Sequence, residues 1–270
     1  MSYELGIIGA GQMAEAIVRG LLRAGLYRPE QLIAADVVPA RRELFSKELG
    51  IKSVEANRDV AAASRALLLS VKPYHMKEVL GGIGEVLPAD TLVISIAAGI
   101  RAATIEKFLG EGTPWRVVRS MPNTPMLVGE GMVAIARGAH ATEADLATAR
   151  RIFEASADVM DVREDQIDAV TAMSGSGPAY FFYFVEQMIK AGVELGLTAE
   201  QAHRLASKTA LGSARMLLAG TDSPEELRRK VTTPNGTTHA AIVHMEERGL
   251  GSIIQGAVKA AERRSKELGA

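Results

Sequence analysis

Gly9-Ala10-Gly11-Gln12-Met13-Ala14 follows the apolar run Leu5-Gly6-Ile7-Ile8 and leads into an amphipathic stretch. In that order the first glycine admits a tight turn, the second lets a ligand approach the backbone, and the small Ala14 lets helix and strand pack closely. Amides at a helix start carry partial positive charge suited to phosphate. Gly9, Gly11, Gln12 and Met13 are therefore candidates to cradle the pyrophosphate of a dinucleotide. Asp36 closes a second apolar run, where a carboxylate would bond the ribose hydroxyls of NAD. Arg41 and Arg42 follow closely and would suit the 2′-phosphate of NADP instead. The plainest alternative makes Asp36 a helix cap and the arginines solvated charges, so the residues alone leave the dinucleotide open.

Three more loops fall where ligands bind in open α/β sheets, beyond the carboxyl ends of apolar strands. Val71-Lys72-Pro73 is the first, and Ser95 to Gly99 the second, whose small residues around Ala97 would let a flat ring lie against the backbone. The third is Met121-Pro122-Asn123-Thr124-Pro125, stiffened by two prolines, with an amide on Asn123 to orient ligand or backbone. Turn chemistry would explain each loop singly. Ser174-Gly175-Ser176-Gly177-Pro178 superficially suggests a hydrolase elbow, but serine stands where that motif needs glycine and no strand precedes it. It is read as a glycine-rich helix entry packed against cofactor or substrate, with Ser176 on the substrate side. Thr232-Thr233-Pro234-Asn235-Gly236-Thr237-Thr238 combines a tight turn with a helix start, where free amides suit a small carboxylate and a hydroxyl suits an imine nitrogen. Simple capping by threonine is the bland alternative.

Stepping outward, the elements that must hold these loops change type partway along the chain. Apolar runs at 5–8, 32–35, 66–71, 92–96 and 117–118 alternate with helical stretches at 13–24, 40–49 and 74–87, and 132–136 is expected to pair near the sheet edge. Strands buried on both faces and joined by helices imply a mostly parallel, doubly wound sheet. From about Glu164 helical periodicity takes over, with segments at 180–195, 199–218, 223–230, 238–248 and 253–268. An α/β domain over 1–160 and an all-α domain over 161–270 are expected.

Composition narrows the rest. Among 270 residues, 47% are apolar and 23% charged, with a net charge of −1 and no basic stripe, so neither nucleic acid nor an anionic membrane is an expected partner. The absence of cysteine excludes disulfides and thiolate chemistry. His239 and His244 lie off the shared face that a helical metal pair needs, and no metal is assigned. The N-terminus enters a strand pattern without a basic, apolar leader, so no cleaved signal and a cytoplasmic location are expected.

Together these segments resemble pyrroline-5-carboxylate reductase along essentially the whole chain. Ser174-Gly-Ser-Gly-Pro-Ala-Tyr180 and Val231-Thr-Thr-Pro-Asn-Gly-Thr-Thr238 carry the resemblance most specifically. This sequence departs from the family in having Thr233 where serine is common and Asn235 where a second glycine is common. Both changes keep the hydroxyl or the turn. The resemblance implies a Rossmann-type domain holding NAD(P)H through Gly9, Gly11, Gln12 and Met13, with Asn57 near the adenosine ribose, Val71, Lys72 and Pro73 at its border and Ala97 near the nicotinamide. NADPH is the expected donor, because reductive biosynthesis usually draws on it, with NADH open. The substrate implied is 1-pyrroline-5-carboxylate, its carboxylate held by Thr233 and the amides of Gly236 and Thr237, its ring nitrogen met by Thr238 as the catalytic contact. The helical domain would interlock with a second subunit's, placing substrate between one subunit's cofactor and its neighbour's threonine loop, and such dimers could build rings. Hydroxyacid dehydrogenases share this plan but place a catalytic lysine on the interdomain helix; here Ser174 to Tyr180 has none and the next is Lys190. A non-catalytic dinucleotide sensor is the other rival.

Overall fold

The structure, a computed structural model, describes residues 2–269. By internal contacts the chain forms two compact units: one runs through Ser176 and takes in the chain again from Ala261, and the other is Gly177–Ala260.

The first unit is built on an eight-stranded sheet, of order β3-β2-β1-β4-β5-β6-β7-β8. Its strands are β1 (Tyr3–Ile8), β2 (Leu32–Ala35), β3 (Lys52–Val54), β4 (Ser64–Leu69), β5 (Leu92–Ser95), β6 (Arg116–Pro122), β7 (Gly131–Arg137) and β8 (Ala157–Asp161). All neighbours pair parallel except β6 and β7. The helices are α1 (Gln12–Arg23), α2 (Pro39–Lys47), α3 (Asn57–Ala62), α4 (Met76–Ile83), α5 (Ala102–Leu109), α6 (Glu143–Glu154) and the short α7 (Ile167–Val170). Alternation within each strand feeds two cores. Leu5, Ile7 and Leu68 pack with Ile17, Leu21, Phe45 and Phe153 on one face. Ile8, Leu67 and Leu69 pack with Leu80, Ile105 and Trp115 on the other. Burial on both faces explains why these strands are near-continuous apolar runs. The order of strands reverses between β1 and β4, which places the glycine turn after β1 at the switch point.

The segment at 132–136 pairs near the sheet edge as expected: β7 lies between β6 and the edge strand β8, which the sequence reading did not include. The sequence Ala-Asp-Val-Met-Asp of β8 is half exposed, so it shows no apolar run. The run at 117–118 extends across Arg116–Pro122, with Arg119 and Ser120 buried inside it. The Ser174–Pro178 segment is a helix entry, as expected, since a long helix begins at Gly177, but the chain ahead of it is not a loop. The chain is already helical from Ile167, and Thr171–Gly175 forms a π turn closed by the Ser176 amide on the Thr171 carbonyl at 2.8 Å.

The second unit is helical: α8 (Gly177–Glu194), α9 (Ala199–Leu218), α10 (Pro224–Lys230), α11 (Thr237–Glu247) and most of α12 (Leu250–Leu268). Its buried residues are Gly177, Ala202 and Ala206 alone, while Phe181, Phe182 and Tyr183 are each about two-thirds exposed. A run of exposed aromatics with so small a core of its own marks a surface made to be covered. No helix among the described residues is long and apolar enough to cross a membrane.

Candidate active site

Two helices that follow sequence-predicted glycine turns start without a side-chain cap. α1 starts after Gly11 and α11 after Gly236. In contrast α6, α9 and α10 begin on Thr142, Thr198 and Ser223, each closed by a capping box that uses up first-turn amides.

At the first turn the two glycines have different reasons. Gly9 has φ +92°, and a Cβ built there would lie 2.7 Å from the Ser70 carbonyl and 3.0 Å from Val71 Cγ1. The fold itself requires that glycine, and Val71 packs on it. Gly11 has ordinary extended geometry and nothing within 4 Å of a built Cβ. Folding does not require glycine there. The open space over Gly11, beside the uncapped amides of Gln12 and Met13, fits a pyrophosphate. Ala14 is fully buried where helix meets sheet.

Around this turn the other predicted residues are placed as follows. Asp36 accepts from the Ala10 amide at 2.7 Å and from the Val38 amide at 2.8 Å, tying the loop after β2 to the glycine turn. Arg41 donates to the Ala10 carbonyl and, at 2.8 Å, to Glu15. Burial pushes the Glu15 carboxyl up, but hydrogen bonds from Arg41 and Arg19 outweigh it and hold the group below the usual carboxylate range. Asn57 opens α3, half-buried, and its side chain has no hydrogen bond among the described residues. Lys72 is exposed with no ion-pair partner among them, and Pro73 starts a short 3-10 turn.

The small-residue loop after β5 is more enclosed than its sequence implies. Ala97 is buried at 6% exposure against the second core. Gly99, at φ +79°, is needed because a Cβ there would lie 2.8 Å from the Ser265 carbonyl in the returning C-terminal chain. Asn123 orients backbone: its Oδ1 accepts from the Met132 amide at 2.9 Å and its Nδ2 donates to Ser174 Oγ at 3.2 Å. A Cβ on Gly175 would meet Met121 Cε at 2.6 Å. The structure thus brings Met121–Pro125 and Ser174–Gly175 together, and Ser176 is half-buried beside them in sequence.

Sequence reasoning missed a buried charge cluster. Arg119, 3% exposed, points Nη1 to Glu164 at 3.3 Å, while its Nη2 has no partner among the described residues. Burial pulls the Arg119 guanidinium below its ordinary range, and Glu164 and Asp168 oppose that. Glu164 also accepts from the Ala102 amide at 2.7 Å, capping α5 just after the small-residue loop. Asp168 accepts from Ser265 at 2.6 Å. The cluster fixes that loop, and the arginine inside an apolar strand was its only signal in sequence.

In the second unit, Asn235 adopts φ +59°, the one non-glycine residue at positive φ among the described residues. It turns the chain so that the Gly236 amide reaches the Thr233 carbonyl at 3.0 Å. A Cβ on Gly236 would lie 2.4 Å from Thr233 Oγ1, so the hydroxyl sits tightly over the turn. The amides of Thr237 and Thr238 follow without a side-chain cap, with Thr238 half-buried and Thr233 and Thr237 exposed.

A doubly wound sheet with an open glycine turn at its switch point defines a dinucleotide-dependent oxidoreductase. Residues 4–99 match the model described as NADP oxidoreductase, coenzyme F420-dependent, and residues 164–268 match pyrroline-5-carboxylate reductase dimerisation. The chain is 42% identical to the pyrroline-5-carboxylate reductase of Pseudomonas aeruginosa over 98% of its own length and 96% of that protein's. It also matches the structure of a pyrroline-5-carboxylate reductase from Coxiella burnetii, at 36% identity and TM-score 0.89 over 100% of both chains. A third match is the Plasmodium falciparum pyrroline carboxylate reductase with NADP bound, at 29% identity and TM-score 0.90 over 99% of this chain and 98% of that one. The chain belongs to the pyrroline-5-carboxylate reductase family, and it forms a homo-oligomer through its dimerisation region.

Proposed function

We propose that this chain reduces the C=N bond of 1-pyrroline-5-carboxylate to give L-proline, the last step of proline biosynthesis, with NADPH as donor and NADH as an alternative. The observation that carries this reading is the pair of open helix starts, one shaped for a diphosphate and one for a small carboxylate. Residues 1–160 bind the cofactor and residues 161–270 supply dimerisation and substrate contacts.

The amides of Gly11, Gln12 and Met13 hold the pyrophosphate, Asp36 and Asn57 border the adenosine ribose, and Val71, Lys72 and Pro73 flank the dinucleotide, with Lys72 adding an unpaired positive charge. The Ala97 backbone borders the nicotinamide, and Asn123 acts by fixing the neighbouring loop. When bound, the reduced nicotinamide supplies hydride. The ring nitrogen of the substrate carries a proton in its electrophilic form, so no strong protein acid is needed. Thr238 Oγ1 meets that nitrogen and orients the ring. Thr233 and the amides of Thr237 and Thr238 hold the carboxylate, because the Gly236 amide is already taken by the Thr233 carbonyl and Gly236 serves the turn instead, and Ser176 lines the substrate pocket. The protein's main contribution is alignment of the two reacting carbons at about 3–3.5 Å.

Interlocked helices of two protomers cover the exposed Phe181, Phe182 and Tyr183, and one subunit's cofactor faces its neighbour's threonine turn. Rings of such dimers follow naturally, and the enzyme works in the cytoplasm. The test is loss of reduced-nicotinamide absorbance with pyrroline-5-carboxylate, its six-membered analogue and a panel of keto acids, using each cofactor. Turnover of the five-membered imine above all others supports the reading; preferential turnover of a keto acid refutes it.

A further inference from the structure

The end of the last helix packs on the small-residue loop after β5. From Ala261 onward α12 belongs to the first unit. Its final turns, Glu-Arg-Arg-Ser-Lys-Glu-Leu, are charged except around Ser265, the one buried residue of that helix among the described residues. The Ser265 hydroxyl donates to Asp168 Oδ1 at 2.6 Å, and Asp168 is itself buried in α7. A hydroxyl-to-carboxylate bond of this length is charge-assisted and stronger than one between neutral groups. The same segment crowds Gly99. A Cβ there would lie 2.8 Å from the Ser265 carbonyl, 3.1 Å from the Gly269 amide nitrogen and 3.1 Å from Leu268 Cβ. The approach is mutual, since a Cβ on Gly269 would lie 2.8 Å from the Gly99 carbonyl carbon. At the far end of the loop, Glu164 accepts from the Ala102 amide at 2.7 Å.

We propose that residues 265–269 position the hydride donor: they clamp loop 96–101 against the first unit, with Ser265 as the positioning residue, so that the nicotinamide ring is held at the height that transfer needs. This rests on the reading that seats the nicotinamide against the Ala97 backbone. Ser265 and Gly269 touch neither cofactor nor substrate and act through Asp168 and Gly99. A loop with glycine at φ +79° has no side chain there to fix its own course, so contacts from outside it must do so. Hydride transfer needs the two carbons at near-attack distance, and a misplacement of about 1 Å costs about a hundredfold in rate. The pyrophosphate and adenosine contacts belong to other loops. Loosening the clamp therefore disturbs the reactive end of the dinucleotide and spares its anchoring end.

The test compares NADPH with 2′-phospho-ADP-ribose, the same dinucleotide without its nicotinamide, on the intact protein. Ser265→Ala removes the bond to Asp168. Gly269→Val drives the chain end off Gly99 and, lying at the terminus, still decides the matter if the serine variant folds poorly. Calorimetry measures the binding of each ligand, and rapid mixing of the NADPH complex with pyrroline-5-carboxylate measures hydride transfer. Both variants are expected to transfer hydride about tenfold or more slowly. The affinity advantage of NADPH over the fragment should shrink, while the affinity for the fragment stays unchanged. An unchanged transfer rate in folded Gly269→Val, or equal weakening of NADPH and the fragment, overturns the inference and leaves the segment a brace for the fold. Amide hydrogen exchange on the unaltered protein tests the underlying reading separately. NADPH, but not the fragment, should slow exchange across residues 96–101; no difference between them overturns the nicotinamide placement and the inference with it.

Discussion

Replacing Gly11 by valine separates folding from cofactor binding at one atom. The backbone at Gly11 has φ −71° and ψ −177°, a conformation that any L residue adopts, and a built Cβ has no neighbour within 4 Å. Valine therefore meets no clash in the protein. It loses a slightly better helix-start residue and gains from a stiffer unfolded chain, two effects of under about 1 kcal/mol with opposite sign. Its branched side chain instead fills the space over the Gln12 and Met13 amides. Losing two hydrogen bonds to a charged phosphate costs about 3–4 kcal/mol, or a few hundredfold in affinity. Gly9→Val provides the contrast, because φ +92° and the Ser70 carbonyl at 2.7 Å make that change a folding defect of about 2 kcal/mol or more. Thermal unfolding and titration of reduced-nicotinamide fluorescence read the two effects separately. Gly11→Val with normal NADPH affinity refutes the phosphate cradle, and Gly11→Val that fails to melt cooperatively refutes the claim that the space is empty for a ligand's sake.

Four further changes probe the remaining parts. Thr238→Ala is expected to lower kcat/KM for pyrroline-5-carboxylate by about tenfold or more while NADPH still binds, since one hydrogen bond to a charged group is lost; unchanged turnover removes Thr238 from the mechanism. Gly236→Ala forces a methyl against Thr233 Oγ1, 2.4 Å from the built Cβ, and should raise KM for the imine more than it weakens cofactor binding in the same preparation. Glu164→Ala leaves Arg119 buried without its carboxylate and α5 without its cap, and denaturant unfolding should show a loss of about 2 kcal/mol or more. Burial pushes the Glu106 carboxyl up, Glu164 adding in the same direction and His140 opposing. A raised folded-state value favours the protonated form, so this group's stabilisation is present in acid and is lost as pH rises through that value. Glu106→Gln is therefore expected to raise the melting temperature at neutral pH and to change it little in acid; the reverse pattern refutes the assignment.

Much of the fold was legible because burial on both sheet faces writes β1, β4 and β5 as apolar runs. The helix α9 was legible through its 3.6-residue period. What escaped had no such signature. β8 alternates at an exposed edge, and β6 carries Arg119 and Ser120 in its buried middle, paid for by contacts with Glu164 and with the Ser95 carbonyl. The π turn before α8 was hidden because a Ser-Gly repeat carries no helical period, whereas Gly175 is there to admit Met121. At the site, spacing identified both glycine-led helix starts but could not tell the glycine demanded by backbone geometry, Gly9, from the one left open, Gly11. Nor could it show that Asn123 bonds Met132 and Ser174, because those partners lie far apart in the chain.

The most direct test is a crystal structure with NADPH and L-proline bound together. The expected result is phosphate oxygens on the amides of Gly11 to Met13, and a proline carboxylate on the amides of Thr237 and Thr238 from a neighbouring protomer, with the nicotinamide ring against the proline ring. Proline bound away from every Gly236–Thr238 turn, or a dinucleotide seated elsewhere than on the turn after β1, contradicts the account.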